Sequence, residues 1–330
     1  QASALVVARG GKLMAEGTAA APIIFTSVLD NITTGQKVGT NLEKTDNQLW
    51  GGVVICGKAP VSAENGDTEG NIEGINPSDN FGKYGGDVAA DNSGVLSYVS
   101  IRHGGISIGE GNELNGLTLG GVGSGTSISN LEIYATLDDG VECFGGTVNM
   151  SNVLVFYQGD DGIDLDQNYS GTISDFAVIQ GDGVGTDEGL EIDGPEGSTY
   201  TSGLFTLKNG LCKTQGTEGT PADLKSKAQG TIENVTFEYG TSPIKIRASF
   251  DSECAAKSDA AKYVLDGKLK VNSSKWSSVK VYENADPSVC GDATATAQTA
   301  VAAALTAGAG GTVVPATLFS WGAAGTRGEL

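Results

Sequence analysis

Six short segments of the chain can be laid over one another, and the interval between them limits the fold more than any other feature. They are ISNLEI (128–133), MSNVLV (150–155), ISDFAV (173–178), LKNGLC (207–212), IENVTF (232–237) and, more loosely, LSYVSI (96–101). Each reads apolar, polar, Asn or Asp, then a strand. Their starts lie 32, 22, 23, 34 and 25 residues apart, a basic period of 22 to 25 with two insertions. About a dozen residues after most starts comes a second column: NGLTLGG (115–121), DGVECFGG (139–146), DGIDLDQ (161–167), EGLEIDG (188–194) and SPIKIRA (242–248).

Two strand columns at this period describe the coils of an all-β solenoid, a parallel β-helix. One coil cannot bury its inner face alone. Stacking coils about 4.8 Å apart pairs every backbone and makes a continuous core. Parallel crossovers favour right-handed coiling. Alternation sends Val141 and Cys143 inward and Glu142 outward. The spacing predicts that residues 128, 150, 173, 207 and 232 share one column, and that Val141, Ile163, Leu190 and Ile244 share another. Asn130, Asn152, Asp175, Asn209 and Asn234 fall at one register, where Asn tolerates left-handed backbone and stacked amides can bond along the axis. A dinucleotide-binding fold fits poorly, because GVGSG (121–125) lacks the glycine spacing and the following amphipathic helix.

Composition agrees. Glycine is 50 of 330 residues, about twice the usual ~7%, while proline is only 8. A net charge of −20 excludes nucleic acid and anionic lipid as partners, since both need clustered Lys and Arg. No stretch has the ~20 apolar residues of a membrane span. The five cysteines follow no metal-ligand spacing. Cys143 and Cys212 alternate with apolar residues as buried thiols, and Cys254 with Cys290 is the expected disulfide. The chain enters directly on a strand at Ala4–Ala8, which reads as a processed chain whose targeting segment is gone.

WGGVVICGKAPV (50–61), NGLTLGGVGSGTSISNLEI (115–133) and DDGVECFGGTVN (138–149) resemble a family of large secreted bacterial proteins of uncharacterised function. GGKLMAEGTAAAPIIFTS (10–27) resembles their opening coils. The resemblance implies a pectate-lyase-like right-handed β-helix over residues 1–250, outside the cell or at its surface, with a further coil ahead of Ala4–Ala8. It implies no catalytic residues. Residues 251–292 are polar and lysine-bearing, a side lobe or irregular rungs. Residues 293–330 read as an Ala/Gly-rich C-terminal cap with a short helix ending on glycines.

Two readings of the acidic residues follow. Asp138–Asp139, Asp160–Asp161 and Asp187–Glu188 precede Gly at one corner of successive coils, and such repetition favours turn architecture over catalysis. The outward Glu142, Asp164 and Glu191 are candidates for calcium. Carboxylates stacked about 4.8 Å apart repel by roughly 1 kcal/mol in water and about 3 to 4 at an effective dielectric of 20. A hard cation would offset that.

The functional expectation is a non-catalytic structural or adhesive β-helix without a cofactor, associating end to end as a head-to-tail filament through unlike coil faces. The alternative is a carbohydrate-active enzyme, a lyase or glycoside hydrolase, using Asp139, Asp161, Asp164 and Glu188 on a polysaccharide. DDGID (160–164) is similar to the carboxylate strand of polygalacturonases and RHGGISIG (102–109) to their histidine motif, but here the histidine comes first. His103 alone reads as a strand-edge residue. Arg102, Lys245 and Arg247 are candidate bases, and Tyr134, Phe144, Tyr157 and Tyr169 candidate sugar platforms.

Overall fold

The structure, a computed structural model, describes residues 3–109, 112–182, 186–217, 219–285, 287–311 and 314–330. Two parallel sheets run the length of a β-helix. Sheet one ascends from Leu5–Val7 through Val53–Cys56, Leu117–Gly120, Val141–Phe144, Ile163–Asp166, Leu190–Ile192, Asp223–Leu224 and Ile244–Ala248 to Val279–Glu283. Sheet two ascends from Leu13–Glu16 through Gly94–Arg102, Ser127–Tyr134, Asn149–Phe156, Thr172–Gln180, Phe205–Thr214 and Gly230–Glu238 to Leu269–Asn272, with Ile23–Phe25 also on Gly94–Arg102.

The registers follow the sequence columns. Ile128 pairs with Met150, Met150 with Ile173, Ile173 with Leu207 and Leu207 with Ile232. Val141 pairs with Ile163 and Ile163 with Leu190. Between Leu190 and Ile244 lies a coil that the alignment passed over: Glu191 pairs with Asp223 and Asp223 with Lys245, which puts Ala222 in the inward column. Its strand is two residues long, too short to show a period. The inward side chains form one core in which Val141, Ile163, Leu190, Ala222 and Ile244 are all fully buried.

The Asn register is left-handed at every step, with φ of 53°, 56°, 57°, 56° and 59° at Asn130, Asn152, Asp175, Asn209 and Asn234. The Nδ2 of Asn152 donates to Asn130 Oδ1 at 3.1 Å, that of Asn209 to Asp175 Oδ1 at 3.3 Å, and that of Asn234 to Asn209 Oδ1 at 2.8 Å. The ladder breaks between Asp175 and Asn152, because a carboxylate has no N–H to pass along. Asp175→Asn restores that donor and keeps the acceptor. It is expected to stabilise the fold by about 0.5–1.5 kcal/mol, the net value of one hydrogen bond, read as a higher urea midpoint.

The last 80 residues do three things. Residues 269–283 add a further coil through Leu269–Asn272 and Val279–Glu283. The helix Gly291–Ala304 then lies against the final strand, with Val301 in the core. Gln298 takes up two groups of that strand's free edge, its Oε1 accepting from Val281 N at 2.7 Å and its Nε2 donating to Val279 O at 3.1 Å. Cys254 and Cys290 are disulfide-bonded, tying the start of this helix to the excursion at 251–258. Cys56, Cys143 and Cys212 are buried thiols.

Residues 314–330 do not cover the end. They run back along the outer face of sheet two as a strap, where Phe319, Ala323 and Ala324 bury Tyr134, Leu154 and Phe156. The strap is anchored on Glu132, which is fully buried and accepts Ala323 N at 2.8 Å and Ala324 N at 3.1 Å. A Cβ on Gly322 would lie 2.2 Å from Glu132 Oε1, so only glycine allows this approach.

A candidate cation and ligand cleft on the outer face of sheet one

Outward positions of sheet one form two rows. The first reads Val54, Thr118, Glu142, Asp164, Glu191, Asp223, Lys245 and Lys280. The second includes Phe144 paired with Asp166 and, further along, Arg247 paired with Tyr282. The face is therefore acidic in its middle and basic towards its C-terminal end. Two excursions wall the acidic part: residues 62–85, with an antiparallel pair at Glu69–Asn71 and Lys83–Gly85, and a second antiparallel pair at Ile106–Gly109 and Asn112–Leu114.

The corner carboxylates are hydrogen-bonded into the stack. Asp139 Oδ1 accepts Asp161 N at 2.9 Å, and Asp161 Oδ1 accepts Glu188 N at 2.6 Å. Glu188 is paired with Lys245, whose Nζ also lies 3.8 Å from Asp187 Oδ1. Asp139 and Asp161 thus each tie their coil to the next, and Glu188 reaches a lysine two coils on. The glycines that follow serve packing rather than an unusual turn. A Cβ on Gly140 would sit 2.2 Å from Val155 Cγ1, and one on Gly162 would sit 2.3 Å from Val178 Cγ1.

Glu142 and Asp164 behave differently. They line a cavity of about 210 Å³ together with Asn115, Asp138, Asp139, Asp160, Asp161, Glu191 and the wall residues Glu73 and Glu113. Burial first, and neighbouring carboxylates second, push the Glu142, Asp164 and Asp139 carboxyls well above the usual range. Asp138 is pushed to about 7 by burial and then by Glu113 and Asp160. Carboxylate oxygens of Asp139, Glu142 and Asp164 lie within 4.8 Å of one another, and so do those of Asp161, Glu188 and Glu191. Glu191 is neutralised by Lys225, whose Nζ also lies 3.6 Å from Asp193 Oδ2.

A larger cleft of about 810 Å³ adjoins this cavity. Tyr84, Phe144, Asp166, Gln167, Glu196, Glu73 and Lys83 are among its walls. Tyr84 and Phe144 stack with centroids 5.6 Å apart, and Tyr84 Oη donates to Gln167 Oε1 at 3.2 Å. Asp166 and Glu196 are both raised to about 7, chiefly by burial and then by acidic neighbours, Glu196 for Asp166 and Glu64 for Glu196.

The remaining candidates lie elsewhere. His103 is buried just past the strand Gly94–Arg102, its Nδ1 2.5 Å from Asp46 O and its ring edge-on to Tyr134. Arg102 is buried beside it, donating to Ser100 Oγ and Lys37 O, each at 2.6 Å. Arg247 donates to Asp223 through Nε and Nη2. Tyr134 lies under the strap and donates to Glu329 Oε2 at 2.9 Å, Tyr157 stacks on Phe156, and Tyr169 is interior, donating to Val148 O at 2.6 Å. Phe144 alone of the four aromatics reaches the acidic face, and it is 8% exposed.

Sequence reasoning did not single out Asn115, Asp166, Glu196 or Tyr84. The first two carried a signal: Asn115 stands where Asp139 and Asp161 stand in their coils, and Asp166 shares the outward parity of Asp164. Glu196 and Tyr84 lie outside the repeated hexapeptides and carry none.

The coil stacking defines a parallel β-helix with an acidic cleft on its outer face. The chain belongs to the pectate-lyase-like beta helix domain family, whose model matches residues 1–326. No curated protein and no solved structure matches it.

Proposed function

We propose that the protein is a non-catalytic β-helix working outside the cell as a structural or adhesive surface, with the acidic cleft holding a ligand rather than transforming one. The observation that carries this reading is the carboxylate ladder. Asp139 and Asp161 each spend an oxygen on the backbone of the following coil, and Glu188 is neutralised by Lys245. Three of the four candidate catalytic carboxylates are thereby committed to architecture. The two aromatics at the cleft are almost wholly buried, so neither offers a flat sugar platform. The disulfide supports an oxidising compartment. Among the described residues, no helix is long and apolar enough to cross a membrane.

A second reading, a carbohydrate-active enzyme, is favoured by Asp166 and Glu196, two carboxyls raised to about 7 in one cleft. Groups of that pKa suit general acid–base work on a glycosidic bond. The purified chain is expected to release no products from a panel of neutral and acidic polysaccharides. Turnover that disappears in Asp164→Asn or Asp166→Asn, but persists in Asp161→Asn, would replace the first reading by the second.

A further inference from the structure

We propose that an apolar pocket of about 200 Å³ beside the last coils is a binding site for a small aromatic monocarboxylate. Its walls are the strand Ile244–Ala248, the excursion at 251–258 and the helices Ala260–Leu265 and Gly291–Ala304. Each of these four elements contributes an alanine: Ala248, Ala256, Ala261 and Ala297. Ala248 and Ala261 are each 3% exposed and belong to the core. Protein interiors leave few voids larger than a water molecule. Here four methyl groups meet where larger side chains would close the gap. Phe250 and Leu265 complete the apolar lining, and Leu265 is left 49% exposed.

The wall formed by the excursion is tied down at both ends. Lys257 N donates to Ser249 O at 2.8 Å, and Asp251 N donates to Ala255 O at 3.0 Å. Cys254 is disulfide-bonded to Cys290, the residue before the second helix. A pocket held by such elements loses little freedom when a ligand enters, and preorganisation of that kind favours binding of small molecules.

Size and charge select the ligand. A dry apolar cavity of about 150 Å³ takes benzene, so this one has room for a six-membered ring with a short substituent. Lys257, Lys262 and Asp266 are also among the lining residues. Lys262 is paired with Asp266, its Nζ 3.0 Å from Oδ2. Lys257 is exposed, and among the described residues no carboxylate or carbonyl engages its ammonium. On a chain of net charge −20 this is an unpaired positive group, carried on a flexible four-carbon stem beside an apolar pocket. A ring with one negative group complements both features, and a single free ammonium matches a monocarboxylate better than a dianion.

The pocket shares no lining residue with the acidic cavity or the larger cleft, so its test and polysaccharide turnover fail independently. The full chain is titrated with sodium benzoate, followed by calorimetry and ligand-observed NMR, in about 0.15 M NaCl to screen diffuse attraction. Benzyl alcohol serves as the uncharged ring and acetate as the anion without a ring. The expected result is saturable binding of one benzoate with Kd of roughly 1 mM or tighter, about tenfold weaker binding of benzyl alcohol, and none of acetate. Ala261→Leu and Ala297→Leu fill the pocket from two sides, and each is expected to abolish benzoate binding, with circular dichroism checking that the variant is folded. Lys257→Met is expected to weaken benzoate about tenfold and to leave benzyl alcohol unchanged. Absence of saturable benzoate binding to the wild type overturns the proposal. So does binding that persists in a folded, filled variant, which would place the ligand elsewhere, and so does undiminished benzoate affinity in Lys257→Met.

Discussion

Truncating Ile163 to alanine is expected to cost about 2–5 kcal/mol of folding stability, in the upper part of that range. Ile163 is fully buried and sits between Val141 and Leu190 in adjacent coils. In many cores a cavity shrinks because neighbouring elements move together. Here the neighbours are strands whose spacing is set by backbone hydrogen bonds on both sides, so coils cannot close the gap without losing the ladder. The outward Ser151, on the other face of the coil, serves as a control, and its truncation should cost under about 0.5 kcal/mol. Urea unfolding of both variants gives the comparison. A cost below about 0.5 kcal/mol at Ile163 would contradict the inward assignment of the whole column.

Replacing Glu132 by alanine is expected to cost about 3–5 kcal/mol, the usual result of removing one partner from a buried charged network. Glu132 accepts Ser100 Oγ at 2.5 Å and the N–H groups of Ala323 and Ala324, and Arg102 Nη2 lies 3.7 Å away. Without the carboxylate, a buried guanidinium loses its counter-charge and two buried N–H groups lose their acceptor. The strap should detach first, so limited proteolysis is expected to cut after residue 305 at lower protease concentrations. Glu132→Gln keeps an acceptor oxygen and should fall between the wild type and the alanine variant. A cost under about 1 kcal/mol with an unchanged cleavage pattern would mean that Glu132 does not anchor the strap.

The coils were legible in the sequence because each one repeats the same physical task at the same interval. A left-handed step needs Asn or Asp and an inward pair needs apolar side chains, so residues 128, 150, 173, 207 and 232 align. The coil at Asp223–Leu224 was not legible, since two residues carry no period. The corner pairs were read as turn chemistry, and their position was right, but the cause differs. Gly140 and Gly162 are required by the approach of Val155 and Val178, a contact between sheets that a local pattern cannot express.

The cleft was only half legible for a related reason. Its floor belongs to the repeat, so Glu142 and Asp164 could be placed outward. Its walls come from excursions without a period, which bring Glu73, Tyr84 and Glu196 to the floor only once the chain is folded. The strap was missed because its binding surface is the outer face of sheet two. Glu132 reads there as an ordinary solvent-facing position in a strand.

The strap also changes how the molecule would carry a load. A simple stack of coils pulled at its C-terminus peels from that end, one coil at a time, because each coil holds only its neighbours. In this chain a pull on Leu330 would not reach the last coil first. Glu329 is bonded to Tyr134, and Arg327 to the carbonyls of Gly39 and Leu42. Tension would enter at the middle of the stack, near Glu132, and would shear the strap along sheet two before any terminal coil was loaded. A protein fixed to a surface through its C-terminal end would thus resist extension through interactions loaded together rather than in series.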